Sequence, residues 1–310
     1  MNRRLLIVVC APALALLLFL GSCGTTEKST APEDVNPFAA ATVGTDTTLE
    51  IITWNLENFA KNGAATVAYV ADAVSALDVD IVALQEVMNV VQFRALDDAL
   101  PGWDGYRAVT AYADMNLAYL YRNSSPLVVE SIYEILTDEY ALPRSPLVLQ
   151  GSFAGQPLVV INNHYKCCGD NRIEPTNERD EETRRRDASI LLDDYIARNF
   201  SGVRVVVVGD FNDELTDDQE DNVFDVFLQA PDRYRFVDLD IASGPDSGWS
   251  YPTWPSHLDH ILITSDLFDA MARPDTEVRV LRLYDYLSSG WSEYDKNISD
   301  HLPVLLRLKP

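Results

Sequence analysis

From Leu49 onward the chain is a succession of short apolar runs rich in β-branched residues, broken by stretches with helical spacing. LEIITWN reads as a strand, AATVAYVADAVSALD places apolar residues on one helical face, and IVALQE reads as a buried strand. VVQFRALDDAL follows as a helix, then LAYLYR and PLVVESIYEI as strands. PLVLQGSFAGQPLVVINNHY reads as two strands joined by a Gly-containing turn. A charged helix is expected from about Asp180 to Phe200, and VRVVVVGDFN, DHILITS, EVRVLRLY and PVLLRLK complete the strands. Strand neighbours and βαβ crossovers are mixed. The order predicts one α/β domain over residues 49–310, a four-layer α/β sandwich of two packed mixed β-sheets flanked by helices.

A strand delivers its terminal side chains to the sheet edge, so polar residues that end apolar runs gather in one mouth when the strands share a direction. Asn55 and Glu57 follow LEIITW, Glu86 follows DIVALQ, His164 follows LVVINN, and Asp210 and Asn212 follow VRVVVVG. Asp259 and His260 open DHILIT, and Asp300 and His301 precede PVLLRL. Singly, each Asp or Asn is a turn former or cap and each His a satisfied core residue. Three of the four histidines at strand ends, two of them directly after an Asp, make chance the poorer account. Hard oxygens from Glu86, Asp300 and Asn55 suit Mg²⁺, with Mn²⁺ or Ca²⁺ as alternatives, and not a thiolate-bound Zn²⁺. A His paired with an Asp, such as His301 with Asp259, moves a proton near neutral pH. With Asp210 and Asn212 to orient water, the set specifies metal-assisted cleavage of a phosphate ester.

The ordered series ITWNLEN, ALQEV, LAYLYR, VINNHYK, VVVVGDFND, LDHILI and SDHLPV resembles the endonuclease/exonuclease/phosphatase superfamily, with its DNase I-like fold. The resemblance implies Glu86 as principal metal ligand with Asn55 and Asp300 near it, and Glu57 as a second acidic ligand. It further implies that Asp210 and Asn212 orient the water and the phosphoryl oxygens, that His301 is the catalytic histidine with Asp259 as its partner, and that His164 is a donor to phosphate or leaving group. Whether His301 or Asp210 takes the water's proton stays open. One departure concerns the carboxylate that orients the second histidine in the nuclease branch: in AYADMNLAYLYR only Asp114 or Asn116 could substitute.

Charge narrows the substrate. The formal net charge is −24, which disfavours tight binding of long duplex DNA through a basic footprint. The segment from Lys166 to Arg186 balances its basic and acidic residues, and Lys166, two residues beyond His164, is expected to face the same mouth and bind substrate. The run Arg184 to Arg186 reads either as part of that face or as a helix start laced with ion pairs. The loop GWSYPTWPSH brings Trp249, Tyr251 and Trp254 near the mouth, where they either cover a substrate, Trp254 foremost, or form the core of a long loop.

At the N-terminus MNRR precedes an uncharged apolar run from Leu5 to Leu20 and then LGSC. The run is short for a membrane span, and the pattern resembles a bacterial lipoprotein signal: residues 1–22 removed and Cys23 lipidated, leaving a charge of −26 because Arg3 and Arg4 go with no acid. Residues 23–48 then read as a flexible tether to an outer membrane or cell surface, with a monomeric domain exported on the end of it. Cys167 and Cys168 are adjacent and either close a vicinal disulfide in an oxidising compartment, the preferred reading, or remain two free thiols. The expected activity is hydrolysis of phosphodiester bonds, in nucleotides, short oligonucleotides or lipid head groups. The alternative is a surface binding lipoprotein that keeps the fold without catalysis.

Overall fold

The computed structural model describes residues 36–111, 114–124 and 126–309. The segment read above as resembling a lipoprotein signal, and Cys23, lie outside the described residues. Two six-stranded sheets carry the fold. In the first, β1 (Leu49–Phe59) runs parallel to β2 (Ile81–Val87) across the helix α1 (Ala64–Leu77), and α2 (Val90–Asp98) leads to β3 (Trp103–Arg107) and β4 (Asn116–Arg122). In the second, β5 (Leu127–Glu134), β6 (Leu147–Phe153) and β7 (Gln156–His164) form a meander. There α3 (Glu181–Asn199) crosses over to β8 (Arg204–Asp210), parallel to β7. The three-residue β9 (Tyr234–Phe236) and then β10 (Asp259–Thr264) close the second sheet. β11 (Glu277–Val280) and β12 (Val304–Leu308) return to the first. The strand orders are β11-β12-β1-β2-β4-β3 and β5-β6-β7-β8-β10-β9. This is the expected four-layer sandwich.

The alternation within each strand assigns its faces. Ile51, Ala83, Tyr119, Leu149, Val160, Val208, Ile261 and Leu306 fill the space between the sheets. Ile52, Val82, Leu84 and Leu305 turn outward against α1 and α2, and Val159, Val207 and Leu262 turn outward against α3. Because both faces of the central strands are covered, those strands read as continuous apolar runs. The inter-sheet layer also holds polar cross-links, of which the Tyr119 hydroxyl to Leu147 O and Val160 O is one and an amide pair is another. Gln85 Nε2 donates to Asn162 Oδ1 at 2.7 Å, and Asn162 Nδ2 donates to the carbonyls of Leu84 (3.0 Å) and Ala118 (3.1 Å). The Asn162 amide, so satisfied, ties the two sheets together just below the site.

Three expectations are corrected. The tether does not extend to residue 48: Asn36 Nδ2 donates to Asp72 O, Phe38 is fully buried beside Tyr69 and Tyr286, and Val43 N and Gly44 N both donate to Leu77 O. The packed domain therefore reaches back at least to Asn36, because one aromatic and a few backbone bonds anchor a segment whose sequence has no periodicity. The strand expected through EVRVLRLY stops at Val280, where Leu281 N turns to Pro303 O and Leu283–Tyr286 winds into a 3₁₀ turn. The disulfide is not formed: Cys167 and Cys168 are free thiols, Cys168 Sγ donating to Cys167 Sγ at 2.9 Å, beyond the roughly 2.05 Å of a covalent bond. Among the described residues no helix is long and apolar enough to cross a membrane.

Candidate active site

Register assembles the site. In the second sheet His164 is paired with Asp210 across the parallel β7–β8 ladder, and Asp210 with Asp259 across the antiparallel β8–β10 ladder, so the three residues form one cross-strand row. Gly209, before Asp210, has φ +149, and a Cβ there would lie 2.1 Å from Asn163 O, so only glycine lets β8 deliver Asp210 at this point. In the first sheet Asn55 is paired with Gln85, next to Glu86. The pairing of β2 with β4 slips between Leu84 and Val87, and Glu86 takes φ +59, which turns its carboxylate into the mouth. Glu57 (φ +40) and Asn212 (φ +54) are also left-handed. Non-glycine residues held there concentrate at functional sites.

The side chains converge across the two sheets. Asn55 Nδ2 donates to Asp210 Oδ2 at 2.8 Å and to Glu86 Oε1 at 3.3 Å. His164 Nε2 stands 3.6 Å from Asp210 Oδ2 and 3.9 Å from Glu86 Oε1, and His301 Nε2 stands 3.9 Å from Asp210 Oδ2. On its other side His301 Nδ1 meets Asp259 Oδ2 at 2.8 Å, the pairing expected from sequence. Asn212 N donates to Asp210 Oδ1 at 2.9 Å, while its side-chain amide donates to Tyr165 O. Four expected catalytic residues, His164, Asp210, Asp259 and His301, thus share one buried floor, with Asn212 at its edge.

The electrostatics follow from that crowding. Burial, reinforced by Asp259 and Glu86, raises the Asp210 carboxyl to about 6 against the opposing pull of His301 and Asn55. Burial alone would depress His301, but Asp259, Asp210 and Asp300 outweigh it and lift the imidazole to about 10. His164 goes the other way: burial, Arg144 and His301 hold it well below the ordinary histidine range, so it is neutral. Its Nδ1 is buried without a hydrogen-bond partner. Neither proposed orienter reaches it, since Asn116 Oδ1 accepts from Ala111 N and Asp114 faces Arg107. A neutral histidine with no carboxylate behind it is suited to donating a hydrogen bond to a phosphoryl oxygen and not to storing a proton.

Around the floor, Glu57, Glu86 and Asp300 are half-buried carboxylates. Glu57 is raised by burial and by Asp300, against the relief of its ion pair with Lys61. These carboxylates surround Asp210, Asp259 and His301, whose ligand atoms lie within 4.8 Å of one another, and such hard oxygens suit a divalent cation, which Glu86, Asp300 and Glu57 would hold on the reading from sequence. Asn55 links them: its Oδ1 accepts from Glu57 N at 2.9 Å and its amide braces Glu86 against Asp210.

Other expected contacts are redistributed. Lys166 pairs with Glu181 (3.5 Å) and donates to Cys167 O, so its charge is drawn toward the start of α3. The arginine run is the ion-paired helix start: Arg185 is buried between Glu182 and Asp213, Arg186 pairs with Asp187, and Arg184 lies on Tyr140. His260 turns to the opposite face of β10, among Phe211, Phe224 and Phe236. In the aromatic loop Tyr251 bridges Ser256 and lies on His301 with ring centroids 4.7 Å apart, Trp249 is tied to Ile241 O, and Trp254 at the tip is 77% exposed.

One cation was missed. Arg144, before β6, donates to Tyr165 O and is depressed by burial, an effect opposed by the nearby Glu86 and Asp210. It lies within electrostatic reach of two carboxylates of the site, and the sequence signalled it only as an Arg between two prolines in LPRSP.

A fold of two mixed sheets with a His–Asp dyad, a carboxylate-rich mouth and a second histidine defines a phosphoester-processing site. Residues 52–301 match the Endonuclease/Exonuclease/phosphatase family, and the chain belongs to it. Among solved structures, D. rerio TDP2 complexed with single-strand DNA product superposes with a TM-score of 0.65 at 17% identity, covering 86% of this chain and 100% of that one. The human nocturnin catalytic domain with bound sulfate gives 0.58 at 16%, covering 86% and 96%. A Bacteroides vulgatus endonuclease/exonuclease/phosphatase gives 0.57 at 18%, covering 84% and 98%. No curated protein sequence matches the chain.

Proposed function

We propose that the protein is a Mg²⁺-dependent hydrolase that cleaves phosphodiester bonds by in-line attack of water. The observation that carries this reading is the row His164–Asp210–Asp259 with His301 closing onto Asp259, opposite Glu86 and Asn55. A bound Mg²⁺ would supply Lewis-acid polarisation of the phosphoryl group and neutralise charge that develops on it. Asp210 and Asn212 orient the water. His301, fixed by Asp259 at Nδ1, presents Nε2 to the substrate, and neutral His164 together with Arg144 holds phosphoryl oxygens. In a chain of net charge −24 this site favours small phosphodiesters over long duplex DNA.

The setting belongs to the same proposal. Cleavage before Cys23 and lipidation of its thiol anchor a monomeric domain at the outer membrane or cell surface, supported by the N-terminal sequence. With Asn36 already packed, any tether lies before it. Hydrolysis of bis(p-nitrophenyl) phosphate by residues 23–310, with Mg²⁺, Mn²⁺ or Ca²⁺ and with EDTA, tests the reading. Turnover is expected with Mg²⁺ and abolished by EDTA, by Glu86→Ala or by His301→Ala; turnover indifferent to all three refutes it. A panel of nucleotides, oligonucleotides and phospholipids then ranks substrates.

A further inference from the structure

Behind the catalytic floor lies a second, wholly buried polar cluster to which the mechanism above assigns no task. Asp238 is 0% exposed and stands at its centre. Its Oδ1 accepts from Ile261 N at 2.9 Å, and its Oδ2 faces two imidazoles, His260 Nδ1 at 2.7 Å and His257 Nε2 at 3.1 Å. Each ring is committed on its far side. His260 Nε2 faces the carbonyl of Asp213 at 2.9 Å, and His257 Nδ1 accepts from Ser250 N at 3.3 Å.

These partners fix the protonation states. His257 accepts at Nδ1 and donates at Nε2, so it is neutral. His260 has an acceptor at both nitrogens, so both carry protons and the ring is an imidazolium, paired with the Asp238 carboxylate in a socket of phenylalanines. Burial opposes each charge, but the mutual attraction of the pair lowers Asp238 and raises His260. A buried pair of this kind is weak evidence for stability, so a more specific task is worth seeking.

The hydrogen bonds lead to the catalytic dyad. Ser250, held by His257, accepts from Asp259 N and Leu258 N at its hydroxyl, both at 3.3 Å, and its carbonyl accepts from Leu302 N at 2.7 Å. Asp259 and the residue after His301 are therefore hung on the same serine. On the other side, the Asp213 side chain binds Arg185, which donates to Lys166 O and Cys168 O in the loop after His164. The cluster ties together the chain segments that carry Asn212, His164, Asp259 and His301.

Resting on the hydrolase reading above, we propose that Asp238, His257 and His260 are positioning residues that set the Asp259 carboxylate against His301 through Ser250. A displacement of about 1 Å at a reacting group costs on the order of 100-fold in rate, which is the scale expected on breaking the link. The experiment uses residues 23–310 with ¹⁵N-labelled histidine. In the wild type, His260 is expected to show two protonated ring nitrogens at pH 8 and His301 a slowly exchanging Nδ1–H. His257→Leu is expected to lose or shift that His301 signal and to lower kcat about 100-fold with KM within threefold, while His257→Gln, which keeps a donor toward Asp238, restores both. A neutral His260 at pH 8, or an unchanged His301 signal and kcat in His257→Leu, overturns the proposal, as does a fall in kcat that only follows the folded fraction. Should His257→Leu not fold, Ser250→Ala breaks the same link and is expected to give the same two effects; their absence overturns the proposal. If the wild type cleaves no phosphodiester, the functional reading fails while the nitrogen signals still decide the positioning role.

Discussion

His301 Nδ1 lies 2.8 Å from Asp259 Oδ2, and the two residues come from different sheets, His301 from the approach to β12 and Asp259 from the first position of β10. The bond assigns the Nδ1 proton and leaves Nε2 toward Asp210 and the mouth. Asp259→Asn keeps the size of the partner but replaces the accepting oxygen with an amide able to donate, which favours the opposite tautomer. Loss of about 10²–10⁴-fold in kcat is expected, the range typical of a positioned acid–base group. Steady-state kinetics at fixed Mg²⁺ measure it, and a loss under tenfold would show that the dyad does not move the proton.

Arg144 offers the mouth a cation without an acidic partner in direct contact, whereas Lys166 is engaged by Glu181. Arg144→Gln is expected to raise KM by about tenfold, corresponding to one charge-assisted hydrogen bond of roughly 1.5 kcal/mol, and to weaken competitive inhibition by inorganic phosphate in parallel. Lys166→Gln is expected to change KM less than twofold. The reverse order of effects would return the phosphate contact to Lys166.

Glu50 gives the fold a pH dependence of known sign. Burial, with Asp80 adding repulsion, raises its carboxyl from 4.5 to about 8 against the bond from Thr48. Between those values the folded chain binds the proton and the unfolded chain does not, so this contribution is complete below about pH 4.5 and is lost as pH rises through about 8. Glu50→Gln is expected to be more stable than the wild type at pH 9 by about 1–2 kcal/mol, with the gap closing toward pH 5. Thermal unfolding across that range checks it; a gap that stays constant with pH is the contrary result.

The boundary at Asn36 is testable by truncation. A chain beginning at Asn36 is expected to unfold at the same temperature as one beginning at Cys23, while a chain beginning at Leu49 loses the fully buried Phe38. Phe38→Ala in the longer chain isolates that loss, at about 3–5 kcal/mol. Equal melting temperatures for the chains starting at Asn36 and Leu49 would restore the longer tether.

The legible parts of the fold were those with a strong local pattern. Buried central strands such as β1, β7 and β8 announce themselves as β-branched runs, and α1 and α3 as helical spacing, because the side chains that form their contacts also set their period. The edge strands β3 and β9 went unseen: WDGYR and YRF are short and exposed on alternate residues, and they become strands only because a neighbour supplies hydrogen bonds. The short helix Trp291–Asn297 was also missed, although its Tyr294 hydroxyl donates to His301 O and accepts from Trp54 Nε1.

By itself the sequence determined the sandwich, the positions of its central strands along the chain and the chemical types at the mouth, because strand ends fix which side chains reach the sheet edge. It also determined the His301–Asp259 pairing, through the family it resembles. Only tertiary structure decided that His164 is held below the ordinary histidine range and lacks an orienting carboxylate, that Arg144 stands near Glu86 and Asp210 while Lys166 pairs with Glu181, and that the Asn55 amide links Glu86 to Asp210. The same holds for His260, which follows Asp259 in the chain yet points to the opposite face of β10. These outcomes depend on burial and on partners distant in sequence, which set charge state and direction and leave no periodic trace along the chain.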